Sequence, residues 1–339
     1  MALPGPDFDP DAPAGAGDGL YGLPHTTDEA AVVVIPVPFE ATASSGRGTA
    51  GAPEAVLRAS HQVDLHLPNT PDVWRRGVAL APVPGEVAAW NDEASQLAAP
   101  ILAAGDATGH EAALARVNEL GAAVNHAVHE ATAAVLARGA IPAVLGGDHS
   151  VPFGAIQAAA EAHPGMGILH IDAHADLREA YMGFTWSHAS IFYNVVHRIP
   201  QVGHVVQVGV RDFSRAESAL IERSTGITTF TDHELAWEHA SGEPWMRTAA
   251  RIVRSLPETV WVSFDIDGLD PSLCPGTGTP VPGGLSWRHT QLLLQLLAQR
   301  HRIVGFDLCE VGTADLDANI GARLLYQLAG WAIHAPTEA

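Results

Sequence analysis

Met166-Gly-Ile-Leu-His-Ile-Asp172-Ala-His-Ala-Asp176 is an apolar run that ends in three metal-grade side chains at alternate positions. Alternate residues of an extended strand point to one face, so Asp172, His174 and Asp176 are expected to converge. Carboxylates gathered in this way repel one another and lose hydration unless a cation neutralises them, which makes a metal site the first inference. A buried strand that delivers ligands at its carboxyl end is also the signature of an open α/β sheet.

Two more segments repeat the pattern. In Trp261-Val-Ser-Phe-Asp265-Ile-Asp267-Gly-Leu-Asp270-Pro271, Asp265 and Asp267 share a face at a strand end, and Ile141-Pro-Ala-Val-Leu145 runs into Gly146-Gly-Asp-His149-Ser150. Alone, Asp-x-His-x-Asp could be a solvated loop, and Gly-Gly-Asp-His-Ser a strand-to-helix turn with a capping Asp or Ser. Together, each behind a strand-like run, they point to a single site. His149, Asp172, His174, Asp176, Asp265 and Asp267 make four carboxylates and two imidazoles, more than one tetrahedral zinc takes, so two ions fit better. The oxygen-rich set, with no cysteine inside the motifs, ranks Mn²⁺ first and Ni²⁺ second.

Outward from these motifs the chain alternates strand-like and helix-like segments. Apolar residues Leu114, Val117, Val124, Val128 and Val135 recur at mostly three- and four-residue steps between Glu111 and Arg138, predicting a long amphipathic helix that feeds the strand before His149. Other helices are expected near 53–60, 151–163, 244–256, 286–299 and 319–332, with further strands from Ala31, over 205–210 and from Arg302. The predicted fold class is three-layer α/β/α with a mostly parallel central sheet. Residues 1–25, rich in Pro, Gly, Ala and Asp, read as an extended N-terminal arm over the surface or across a subunit boundary, and 26–339 as a single catalytic domain. The Gly-rich loop 42–51 has no lysine where a phosphate loop needs one and is read as a loop over the metal pocket.

At these motifs the chain resembles the ureohydrolase family, the arginase and agmatinase group of binuclear metal enzymes, from about Val32 to Leu328. The resemblance implies two Mn-type ions bridged by Asp172 and Asp265, with His149 and Asp176 completing one coordination shell and His174 and Asp267 the other. It implies hydrolysis of a guanidino compound to urea, Asp176 orienting the attacking oxygen and His188 carrying a proton to the departing amine. Glu310, at the end of Arg302-Ile-Val-Gly-Phe-Asp-Leu-Cys-Glu, matches the family glutamate that clamps the planar guanidinium by paired hydrogen bonds. Asp148 and Asp270 are read as residues that hold ligand histidines or brace the loops behind the metals, and Asp307 as a residue facing the same way as Glu310. His170 is read as a core histidine or one behind the ligands. The family is further expected to form homo-trimers or homo-hexamers.

The approach to His188, Gly183-Phe-Thr185-Trp186-Ser-His188-Ala-Ser-Ile, departs from the family pattern: Trp186 and Ala189 stand where Asn and Gly are usual. Thr185 and Trp186 are therefore expected to line the substrate pocket, with Trp186 shortening it. On that ground free guanidine or another small guanidino compound ranks first, agmatine next, and arginine or formimidoylglutamate lower. Readings of another class are a two-metal phosphoesterase, for which Arg178 is the sole basic residue near the ligands, and a metal-binding oligomer without activity.

Composition bounds the partners. A formal charge of −20 over 339 residues disfavours nucleic acid and anionic membrane surfaces, both of which need a basic footprint, and is compatible with a small cationic substrate. No run of 18 apolar residues is present, and the start lacks a basic region followed by an apolar stretch. Two cysteines, Cys274 and Cys309, make no disulfide framework, and a reducing cytoplasm is the expected location.

Overall fold

The computed structural model describes residues 8–334 apart from 16 and 71. One eight-stranded sheet runs through it, made of β1 (Val32–Val37), β2 (Val78–Leu80), β3 (Ile141–Gly146), β4 (Gly167–Ile171), β5 (His204–Val210), β6 (Ile227–Thr231), β7 (Thr259–Asp265) and β8 (Arg302–Cys309). The strand order is β2-β1-β3-β8-β7-β4-β5-β6, and every pairing is parallel.

The strands are near-continuous apolar runs because both faces are covered. β1 shows the consequence: Val32 and Val34 join one core with Leu324, Leu325 and Leu328 of the helix Asp315–His334, while Val33 and Ile35 join a second with Val117, Val124 and Val128 of the helix Glu111–Ala137. Alternation along a strand thus feeds two helical layers, the α/β/α sandwich that the motif spacing predicts.

The expected helices are present as Ala52–Ser60, Glu111–Ala137, Phe153–Ala162, Trp245–Arg254, Trp287–Ala298 and Asp315–His334. A further long helix, Val87–Ala104, contains Pro100, whose ring lacks an N–H and ordinarily signals a break. In the N-terminal stretch Tyr21 packs on the chain's own last helix, while Phe8 packs on Trp74; residues 1–7 and 16 are outside the described residues. Tyr21 carries that contact, its hydroxyl donating to the Ala322 carbonyl at 2.9 Å and its ring centred 4.7 Å from that of Tyr326.

β3, β8, β7 and β4 are adjacent in the middle of the sheet. The motifs that follow them therefore meet at one edge, at the carboxyl ends of parallel strands.

Candidate metal centre

The turn after β3 sets His149. A Cβ on Gly147 would stand 2.0 Å from the Phe39 carbonyl oxygen, so only glycine lets the two backbones pass. Gly147 and Asp148 then donate their N–H groups to the Val37 and Phe39 carbonyls at 3.0 and 2.9 Å, and His149 is delivered fully buried over the sheet edge. Behind β4, Asp172 continues the strand and Asp176 adopts a left-handed backbone with φ of 54°. Behind β7, Asp265 accepts the Asp267 N–H at 2.9 Å through Oδ1, closing the short 3₁₀ turn Ile266–Gly268. Glu310, after β8, is also left-handed, with φ of 61°. Such conformations cost non-glycine residues about 1–3 kcal/mol each and persist where surrounding structure enforces them.

The six predicted ligands come together. His149 Nδ1 lies 2.9 Å from Asp172 Oδ2, 3.3 Å from Asp176 Oδ2 and 3.4 Å from Asp265 Oδ2. His174 Nδ1 lies 3.1 Å from Asp267 Oδ2 and 3.5 Å from Asp172 Oδ1. Asp172 thus turns one oxygen to each histidine. Among the described residues the donor atoms form three groups able to hold an ion: His149–His170–Asp172–Asp176 and Asp172–His174–Asp267, joined through Asp172, and His149–Asp307–Cys309.

Hydrogen-bond direction shows what His149 needs. Ser263 Oγ donates to Asp307 Oδ1 at 2.9 Å, so its oxygen is free to accept from His149 Nε2–H at 3.0 Å. A neutral ring then presents a bare Nδ1 to three carboxylate oxygens, an arrangement that requires a second proton or a cation. The charges say the same. Burial disfavours the charged form of His149, yet hydrogen bonds to Asp172, Asp176 and Asp307 hold its pKa well above the usual imidazole range. His174, also against burial, is pushed up to about 12 by Asp172 and Asp267. Burial and the neighbouring Asp172 push Asp176 up to about 7, and burial with Asp267 and Asp172 drives Asp265 well above the carboxylate range. Burial would raise Asp172 too, but His170, His149 and His174 hold it well below. Oxygen-rich, buried and short of positive charge, this donor set fits divalent cations.

Asp148 and Asp270 brace the loops beside the ligands, one of the two roles expected of them, and hold no ligand histidine. Asp148 is buried, but its Oδ1 accepts from the Ser150 N–H and hydroxyl and touches no imidazole. Asp270 accepts from the Ser272 N–H at 2.9 Å and from its hydroxyl, capping a partly exposed turn. Asp270 lies two residues past the 3₁₀ turn Ile266–Gly268, beyond the strand's alternation. Ser263, Asp307 and His170 hold the ligands instead: His170 Nε2 lies 2.8 Å from Asp172 Oδ2, and Asp307 also accepts from the Trp261 indole N–H at 2.6 Å.

Beside the ligands opens a cavity of about 160 Å³ walled by His174, Asp176, Arg178, Tyr181, His188 and Asp212, with Ser44, Ala189, Glu217 and Thr279 completing it. His188 Nε2 is 3.5 Å from Ser44 Oγ, and its Nδ1 is enclosed without a partner. Burial, and then the nearby His174, lower its pKa to about 4, so the ring is neutral. Ser44 and Thr279 belong to the two Gly-rich loops, 42–51 and 275–284, the first of which was expected over the pocket.

Thr185 and Trp186 do not line this cavity, which corrects the expectation for both. Trp186 packs on Phe153 with ring centroids 4.9 Å apart, lies under the Arg198 guanidinium at 5.0 Å and presses its Cβ against Gly121. Thr185 is held by its backbone, its N–H donating to Asn118 Oδ1 at 2.9 Å and its carbonyl accepting from Asn194 at 2.8 Å. The aromatic wall is Tyr181, with Arg178 over its ring at 5.3 Å. Tyr181 and Asp212 escaped the reading of the sequence; their signal was position, Tyr181 five residues past Asp176 and Asp212 two residues beyond the end of β5, the strand next to β4. Glu310 does not line the cavity: its Oε1 accepts the His149 N–H at 3.1 Å, and a Cβ on Gly278 would stand 3.0 Å from its Oε2.

The sequence profile of the Arginase family matches residues 30–333. An N(1)-aminopropylagmatine ureohydrolase of Thermus thermophilus is 34% identical over 312 residues, 89% of this chain and 90% of that protein. A guanidinobutyrase of Pseudomonas aeruginosa is 34% identical over 200 residues, 57% of this chain and 61% of its own length. Among solved structures, the agmatine ureohydrolase of Thermoplasma volcanium superposes with a TM-score of 0.73 at 22% identity, over 94% of this chain and 96% of that one, a likeness of fold. With the profile spanning nearly the whole chain, and relatives that are hydrolases of guanidino groups, this chain belongs to the arginase family.

Proposed function

We propose that the protein hydrolyses a guanidino compound bearing a second cationic group, agmatine or its aminopropyl extension, to urea and an amine, with two divalent ions at the carboxylate cluster. The observation that carries the substrate class is Asp212, an exposed carboxylate on the cavity wall among acidic neighbours. The wall's arginine, Arg178, is placed 3.7 Å from Glu217 and over Tyr181, which leaves Asp212 to meet a cationic tail. The name of the Thermus relative points to the same class. Free guanidine ranks behind, because Trp186 faces away from the cavity and does not shorten it.

His149, Asp172, Asp176 and Asp265 would hold one ion and His174, Asp172, Asp265 and Asp267 the other, Mn²⁺ by preference and Ni²⁺ next. The chemistry supplied by such a pair is acidification of water to a nucleophile at neutral pH. The chain's own residues do the rest. Asp176, pinned in its left-handed backbone, orients the attacking oxygen by accepting a hydrogen bond. The family likeness would make Glu310 the guanidinium clamp; in this structure it stands behind the cavity wall, its Oε1 holding the His149 N–H and its Oε2 lying beside the Cβ-free Gly278. His188, kept neutral by burial, takes a proton through one ring nitrogen and passes it to the departing amine. The family likeness adds a trimeric or hexameric assembly to the proposal.

The test is urea release from agmatine, aminopropylagmatine, 4-guanidinobutyrate, arginine and guanidine by protein loaded separately with Mn²⁺ and Ni²⁺. Preference for the two cationic-tailed substrates, lost in Asp212→Asn, supports the proposal. A preference for guanidine or a carboxylate-tailed substrate overturns the substrate class, and phosphate-ester turnover without urea overturns the chemistry.

A further inference from the structure

One rung below the metal-facing rung, a row of polar side chains crosses the sheet. His170 on β4 is in register with Gln207 on β5, which is in register with Thr229 on β6. Parallel strands buried on both faces ordinarily carry apolar residues at such positions, and His170 and Gln207 are fully buried. The row is hydrogen-bonded end to end. Thr229 Oγ1 donates to Gln207 Oε1 at 2.9 Å, Gln207 Nε2 lies 2.8 Å from the Ala175 carbonyl and 3.0 Å from His170 Nδ1, and His170 Nε2 lies 2.8 Å from Asp172 Oδ2.

The direction of each bond follows from its partners. The Ala175 carbonyl can only accept, so the nitrogen end of the Gln207 amide faces it. The second hydrogen of that NH₂ group then points at His170 Nδ1, which must accept. His170 carries its proton on Nε2 and donates it to Asp172, while Phe192 stacks on the ring at 3.8 Å and fixes its plane.

We propose that Gln207, anchored by Thr229, is a positioning residue for the metal centre: it locks His170 as the Nε2–H tautomer, which holds the carboxylate of Asp172 in the orientation shared by both ion sites. The inference rests on the metal role of Asp172. It extends control of the centre across three strands to β6, at the edge of the sheet.

The experiment uses the full chain. In metal-free protein labelled with ¹⁵N-histidine, the His170 ring, assigned by its loss in His170→Phe, should show a bare Nδ1 and a protonated Nε2; protonation at Nδ1 would overturn the proposal without any further variant. Gln207→Leu should weaken Mn²⁺ binding by roughly 10- to 100-fold in chelator competition, the range typical of lost support behind a ligand. The isosteric Thr229→Val, at the partly exposed end of the row, should weaken it severalfold with the fold retained. Affinity within about twofold of wild type in both variants, against that expected 10- to 100-fold loss, would sink the relay. Asp172→Ala separates the two claims: ions retained there would overturn the metal reading itself, whereas ions lost there but bound at full strength in Gln207→Leu would overturn the relay alone.

Discussion

Replacing Trp186 by alanine separates a pocket residue from a packing residue. The indole is partly buried between Phe153, Gly121 and the Arg198 guanidinium. A tryptophan side chain buries about 150–250 Å², which at about 25 cal/mol per Å² corresponds to roughly 4–6 kcal/mol for complete removal from water. Partial exposure and the area that alanine still covers reduce this to about 3 kcal/mol, at the lower end of Trp→Ala losses in cores. The lost ring pair with Phe153 adds about 0.5–1.5 kcal/mol. Trp186→Ala should therefore lower the thermal unfolding midpoint by several degrees and leave the ratio of kcat/KM for agmatine over guanidine unchanged. An unaltered midpoint with a ratio shifted about tenfold, equal to about 1.4 kcal/mol of transition-state binding, would refute this reasoning and return Trp186 to the pocket.

Other perturbations probe the centre more directly. Asp265→Ala, which removes a carboxylate placed among His149, Asp172 and Asp267, should abolish metal content and urea release together, as elemental analysis and a urea assay would show; full metal occupancy would refute its assignment. His188→Ala should retain both ions and lose about 10²-fold or more in kcat, and unchanged kinetics would retire the proton-carrier role. Burial lowers the folded pKa of His188 from the usual 6.5 of an imidazole to about 4, so the unfolded chain binds the proton more readily in that interval. Its stabilising contribution is complete above pH 6.5 and lost as pH falls towards 4, and His188→Phe should flatten the pH dependence of unfolding of the metal-free protein over that window. Cys274 and Cys309 are buried, and burial holds both thiols above the usual range. Neither should react with a disulfide reagent at pH 8 until the protein unfolds, and rapid labelling of the native protein would contradict the packing around them.

What was legible in the sequence was whatever depended on strand periodicity. Asp172 and Asp265 are placed by the ends of buried strands, and His149 by a turn whose glycine is dictated by a neighbouring backbone, so local pattern and final position coincide; His174 and Asp267 lie past the last strand residues, Asp267 within a 3₁₀ turn, and reach the same centre. Asp270 lies two residues past that turn, beyond the strand's alternation, and Asp148 sits in a turn where the nearest partner, Ser150, takes its carboxylate. Trp186 could not be oriented from its neighbours in sequence, because Gly121 and Phe153, which hold it, come from two helices far from it along the chain. Tyr181 and Asp212 reach the cavity only once β5 is docked beside β4. The row Thr229–Gln207–His170 was equally out of reach: it exists through register between strands, and no single segment announces it.

The place of β8 has a consequence for the order in which the molecule is assembled. It is the last strand of the sheet in chain order, yet it lies between β3 and β7. Until it inserts, the sheet consists of two unconnected parts, β2-β1-β3 and β7-β4-β5-β6. His149 follows β3 on the first part, whereas Asp172, Asp176 and Asp265 stand on the second. A chain emerging from the ribosome at about 5–20 residues per second therefore displays half-sites for several seconds while the intervening helices are made. These non-local pairings also place the molecule among slow folders. The docking of β8 is the step that brings the His149 imidazole to the carboxylates, so the ion site built on His149 closes last, whereas Asp172, His174, Asp265 and Asp267 already stand together on the second part and can take a cation before the sheet is complete.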